Sequence, residues 1–212
     1  SAAAVREFQQ NRGMSEDGIA GPAVASEIVS VQRPSRRIGK ETAREIEWLR
    51  QLPTSVVGTR VLFDAGCATP AEDRRLWPIS HAAAEIFQKL GGAGFVSRAA
   101  DVTAEPRVRA RRANRLGSDL VVSLQLPASD AEGVYYFDSG ISDSPAGQLL
   151  AETMAKALGL DAHGRALPML RETRAPAVVI ASDAIGPLWA ERIVRGLHDF
   201  FERAAVEADP TD

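Results

Sequence analysis

The sequence predicts an α/β fold between residues 58 and 206, a twisted, mixed but mostly parallel sheet with helices on both faces. Three observations carry this. Apolar runs of strand length recur along the chain, amphipathic stretches of helical length separate them, and LVVSLQL at 120–126 is apolar almost throughout. Alternation of that kind winds helices onto a parallel sheet, and a near-continuous apolar run suits a strand buried on both faces.

Taken in order, RVLFDAG at 60–66 reads as a buried strand ending in a glycine turn. A helix is predicted over 82–90, with Ile86, Phe87 and Leu90 on its apolar stripe and Gly91-Gly92 as its stop. GFVSR at 94–98 is a strand, 106–116 a helix, 120–126 the central strand, and GVYYFD at 133–138 a strand with alternating aromatics. A helix over 144–158, a strand PAVVIAS at 176–182 and a last helix over 187–205 complete the domain. Leu188, Trp189, Ile193, Leu197, Phe200 and Phe201 are expected to form that helix's core face. Ahead of it, residues 1–28 read as two short helices with turns at Asp17-Gly18 and Gly21-Pro22. Residues 29–57 are a basic linker followed by an amphipathic helix at 41–52, ended by Pro53, and residues 207–212 are an acidic tail.

The formal net charge of −3 provides no global field for nucleic acid or an anionic membrane. Arg107, Arg109, Arg111, Arg112 and Arg115 fall at helical spacing and read as a solvated helix face. No apolar run approaches the roughly 20 residues of a membrane span, and no signal peptide is expected at the start. Cys67 is the only cysteine, so no internal disulfide forms, which suits a reducing compartment.

Four segments stand out, in this order: VLFDAGCATP at 61–70, RARRANRLGSDLVVSLQLP at 109–127, EGVYYF at 132–137 and LRETRAPAVVIAS at 170–182. The second is specific, with Arg109, Ala113, Asn114, Asp119, Leu120 and Ser123 in register. Together they resemble the zinc N-acetylmuramoyl-L-alanine amidases, which cleave between muramic acid and the stem peptide. AVREFQQNRGMSEDGIAGPAV, near the start, is similar to the second half of a three-helix peptidoglycan-binding module.

The resemblance implies a zinc site, and the matched positions lack it. The family's first histidine falls on Cys67, its second on Gln125 and its catalytic glutamate on Ala181, while the ligand glutamate falls near Arg75. Zinc hydrolysis needs a closed ligand set, one open position for water and a nearby base. An amide is a feeble ligand, a guanidinium repels the ion and alanine moves no proton. No metal and no cofactor are therefore expected. A substitute site drawn from Cys67, Glu72, Asp73, His81, His163 and His198 is disfavoured, because no second histidine follows any of these at helical metal spacing. Cys67 has no histidine placed to activate it as a nucleophile.

The other matched residues read as structural. Asn114 and Asp119 are expected to fix the helix-to-strand turn, Arg98 and Arg109 to pair with acids at the sheet ends, and Tyr135 and Tyr136 to divide between core and surface. The resemblance is strongest to actinobacterial amidase-like regulators. It implies a cytoplasmic pseudoenzyme that contacts a peptidoglycan-precursor enzyme, the enolpyruvyl transferase, and a Ser/Thr kinase. Thr211 is the candidate modification site in the tail. The alternatives are an active zinc amidase and a non-catalytic peptidoglycan-binding protein in the cell envelope.

Overall fold

The computed structural model describes residues 55–99, 104–127 and 132–208, with a few residues between 2 and 24. The linker and helix expected over 29–52, most of the helical segment over 1–28, and Thr211 lie outside the described residues. The chain divides into two compact units, Ser1–Gly39 and Lys40–Asp212. In the first, Ala2, Ala3, Val5 and Arg6 are helical, and the Ile19 amide donates to Asp17 Oδ1 at 2.9 Å across the turn at Gly18.

The second unit holds a six-stranded sheet. Its elements run β1 (Arg60–Gly66), α1 (Pro70–Lys89), β2 (Ala93–Val96), α2 (Pro106–Leu116), β3 (Leu120–Gln125), β4 (Gly133–Tyr136), α3 (Pro145–Leu158), β5 (Ala162–Gly164), α4 (Pro168–Glu172), β6 (Ala177–Ala181) and α5 (Trp189–Ala208). The strand order is β2-β1-β3-β6-β4-β5, and only the β4–β6 pair is antiparallel. The expected mixed, mostly parallel sheet is present.

Strand alternation sorts the core into two layers. Val61, Phe63 and Ala65 of β1, with Leu120, Val122 and Leu124 of β3, pack under α1, α3 and α5. Leu62, Val121 and Val179 point the other way, onto Ala110 and Ala113 of α2 and Met169 and Leu170 of α4. A strand fully covered on both faces has no polar side to show, which is why 120–124 is buried residue by residue.

Four expectations need correction. The helix predicted over 82–90 is the last part of α1, which begins at Pro70. Thr69 caps it, accepting from the Glu72 amide at 3.3 Å, and Glu72 Oε2 accepts from the Ala68 amide at 2.8 Å. This reciprocal cap, with proline at the first helical position, starts the helix early. Leu188 is 72% exposed and precedes α5, so it is no part of the core face. Two short elements, β5 and α4, had no periodic signal at three and five residues. The last helix also runs through 208, two residues into the expected acidic tail.

Candidate functional site

The site is built where β1, β3 and β6 end. Gly66 lies opposite Gln125, and Gln125 opposite Ala181, so three neighbouring parallel strands finish in one row. After β1 the chain turns one way to β2, and after β3 it turns the other way towards β4. A crevice opens at such a switch point because the flanking connections leave on opposite faces of the sheet. It is a cavity of about 580 Å³ lined by Gly66, Cys67, Glu72, Arg109 and Gln125, among others.

The alternating direction of side chains separates residues that the sequence had grouped together. Gln125 is half-buried on the cavity wall, and Ala181, 1% exposed, is packed in the layer under α2 and α4 without lining the cavity. Cys67 belongs to the opposite layer. Its Sγ accepts from the Arg98 guanidinium at 3.0 Å. Burial pushes the Cys67 thiol up to about 11, outweighing the Arg98 charge that pulls it down. Arg75 stands outside the cavity, exposed, with its guanidinium on the carbonyls of Asp183 and Ile185. The side chain that opens α1 beside Cys67 is Glu72, and the loop length hid that placement.

Two buried cations stand at this end of β1. Arg98 is 4% exposed and binds Asp73 Oδ1, the Ala65 carbonyl at 3.1 Å and Cys67 Sγ, tying the strand end to the first turn of α1. Arg109 is 6% exposed and pairs with Asp64, which also accepts from Ser123 Oγ at 2.6 Å. Both pairings fit the sequence expectation, although Arg109 departs from the solvated face read for its helix. Gly66 makes room for it: a Cβ there would lie 3.2 Å from the Arg109 guanidinium and 3.0 Å from the Leu124 carbonyl. Asp119 holds the helix-to-strand turn as expected, accepting from the Arg60 amide at 2.8 Å. Asn114 instead fastens α4 to α2, donating to the Glu172 carbonyl at 2.8 Å and accepting from the Arg174 amide at 2.9 Å. Tyr135 is 2% exposed and Tyr136 half-buried, the expected division.

The histidines lie elsewhere. His81 stacks on Trp77 at 4.9 Å, His163 sits exposed on β5, and His198 is an exposed residue of α5. Among the described residues, only His198, Asp199 and Glu202 bring three metal-type donors within 4.8 Å of one another, on a helix surface away from the crevice. Sequence reasoning gave no role to Glu132. Its carboxylate accepts from Ser182 Oγ at 2.8 Å and from the Asp183 amide at 2.6 Å, and these bonds hold its pKa below the ordinary carboxylate value.

Comparison with known proteins places this arrangement. The peptidoglycan binding domain family matches residues 1–28. The N-acetylmuramoyl-L-alanine amidase CwlM of Mycobacterium tuberculosis is 26% identical over 203 residues, an alignment covering 84% of this chain and 50% of CwlM. This chain is similar to that amidase over most of its length. It spans about half the length of this curated relative. Two solved structures agree on the fold. The amidase Ami1 from Mycobacterium smegmatis superposes with a TM-score of 0.59 at 16% identity, covering 70% of this chain and 99% of that one. The catalytic domain of the amidase CwlV from Bacillus (Paenibacillus) polymyxa var. colistinus gives 0.51 at 17% identity, covering 71% and 100%.

Zinc, which the resemblance implies, does not fit the residues at the strand ends. The Cys67 sulfur already holds an Arg98 guanidinium N–H, a positive charge beside the place an ion would take. Gln125 contributes a neutral amide and Ala181 only a methyl group. Glu72 is committed to the Ala68 amide, and the Arg109 guanidinium lines the same cavity. No helix of the described residues is long and apolar enough to cross a membrane.

Proposed function

We propose that this amidase homologue is catalytically inactive and acts through protein contacts to regulate the synthesis of peptidoglycan precursors. One observation supports the loss of activity: the strand ends present Gly66, Gln125 and Ala181, and the crevice's Cys67 and Glu72 are already engaged, by the Arg98 guanidinium and the Ala68 amide. Glu132, near the end of β6, does not replace the missing glutamate. It is committed to two donors, and a lowered pKa weakens it as a base. A scaffold kept after its chemistry has gone is put to use through its surface. The partner expected from the resemblance is a precursor enzyme such as the enolpyruvyl transferase, with a Ser/Thr kinase acting on the tail, and such partners place the protein in the cytoplasm. The match at residues 1–28 supports peptidoglycan binding as a second, weaker contact.

Protein purified without chelator should carry far less than one zinc per chain and release no stem peptide from muropeptides. Immobilised protein should retain the purified enolpyruvyl transferase. Stoichiometric zinc together with muropeptide cleavage would restore the alternative of an active amidase. Retention of cell-wall fragments without the transferase would favour the envelope-binding alternative.

A further inference from the structure

A second cavity, of about 540 Å³, lies in the same unit among the loop before α3, α4 and the start of β6. Arg171 and Arg174 line it, together with Ser142, Asp143, Ser144 and Thr173. Neither arginine has an ion-pair partner among the described residues, and both are exposed. Two guanidinium groups over a concave surface, neither held in an ion pair, are an arrangement that recognises a phosphoryl group, through forked N–H donors to its oxygens. Phe137, Leu170 and Ala175 supply an apolar floor for the residues flanking such a group.

The charge continues beyond the cavity. α4 is fastened to α2 through Asn114 and through Arg107–Glu172 at 3.6 Å. On α2, Arg111, Arg112 and Arg115 are exposed and have no ion-pair partner among the described residues. Although the chain as a whole carries −3, this layer therefore presents a row of free cations. We propose that the α2–α4 face, centred on Arg171 and Arg174, binds a phosphorylated, acidic protein segment. The arginine pair grips the phosphoryl oxygens, and the α2 arginines steer the acidic residues that follow. A bilayer is the less suitable partner. Surface binding to lipid needs apolar anchors, and among the described residues the exposed large apolar side chains near this face are Val108 and Ile141, neither of them aromatic. Asp143, on the wall, opposes the dianion and makes both arginines necessary.

The test is fluorescence anisotropy on the full chain, using labelled peptides with one threonine between glutamates, phosphorylated or not. The phosphorylated peptide should bind at least about tenfold more tightly, with inorganic phosphate competing. Arg171→Ala with Arg174→Ala should remove that preference while the thermal melt stays unchanged, since both side chains are exposed. Arg111→Ala with Arg115→Ala should weaken both peptides alike by a few-fold, and Asp143→Asn should tighten the phosphorylated one. Equal binding of both peptides, no binding of either, or capture by phosphatidylglycerol vesicles in place of the peptide would overturn the proposal.

Discussion

Two buried ion pairs flank the end of β1, one on each face of the sheet, and they are built differently. In Asp64–Arg109 the strand supplies the carboxylate and α2 the cation. Asp64 is fully buried, and its Oδ1 has no hydrogen-bond partner. In Asp73–Arg98 the helix supplies the carboxylate, and the cation comes from the segment after β2. That cation also binds the Ala65 and Ala99 carbonyls and Cys67 Sγ. The first pair sits in the middle of the sheet with few partners. The second is shared among many acceptors, with its acid in the first turn of α1, where the helix dipole steadies a negative charge. Burial alone does not rank such pairs. What remains around each charge after its partner is removed does.

Removing the cation from each pair tests that difference, and the largest effect is expected at Arg109. Arg109→Met leaves the Asp64 carboxyl fully buried with only Ser123 beside it, and should cost about 3–5 kcal/mol in urea unfolding. Arg98→Met should cost less, about 2–3 kcal/mol, because Asp73 retains the amide-rich start of α1. Equal losses in the two variants would break the comparison. Adding Asp73→Leu to Arg98→Met should recover most of that loss, since an apolar pair of similar volume often matches a buried ion pair. The same addition at the other face, Asp64→Leu with Arg109→Met, should recover less, because Ser123 would lose its acceptor.

The smallest effect concerns Cys67. Its pKa rises from 9.0 to about 11 on folding, so the folded state keeps the proton that the unfolded state releases. Stability from this group is whole below pH 9 and falls as pH rises towards 11. Alkylation of the native thiol should therefore reach half its limiting rate near pH 11, against about 9 in urea. A native midpoint near 9 would mean that the Arg98 side of the comparison is less closed than its contacts suggest. The same slope should vanish in Cys67→Ala.

Much of the fold was legible because both periodicities were unbroken. VLFDAG and LVVSL alternate between two apolar layers, and the 106–116 and 144–158 helices end at glycines of positive φ, Gly117 and Gly159. Where a local device overrides periodicity, the reading went astray. The cap at Thr69 started α1 a dozen residues early, and β5 and α4 were too short for any pattern to build up. The site was legible as a set of positions but not as an arrangement. Cys67, Gln125 and Ala181 do stand at the ends of neighbouring strands, yet Cys67, one residue past the register of the other two, turns into the opposite layer. The placement near Arg75 missed Glu72, three residues earlier in the first turn of α1.

By itself the sequence determined which residue types stand at the strand ends, and hence which donors they can offer, because donor ability belongs to the side chain wherever it lies. Only the tertiary structure decided that Arg98 gathers Cys67 and the start of α1. It also decided that Arg171 and Arg174 share a cavity. Those outcomes depend on which face a side chain takes and which distant segment meets it there, and no pattern local in sequence encodes either.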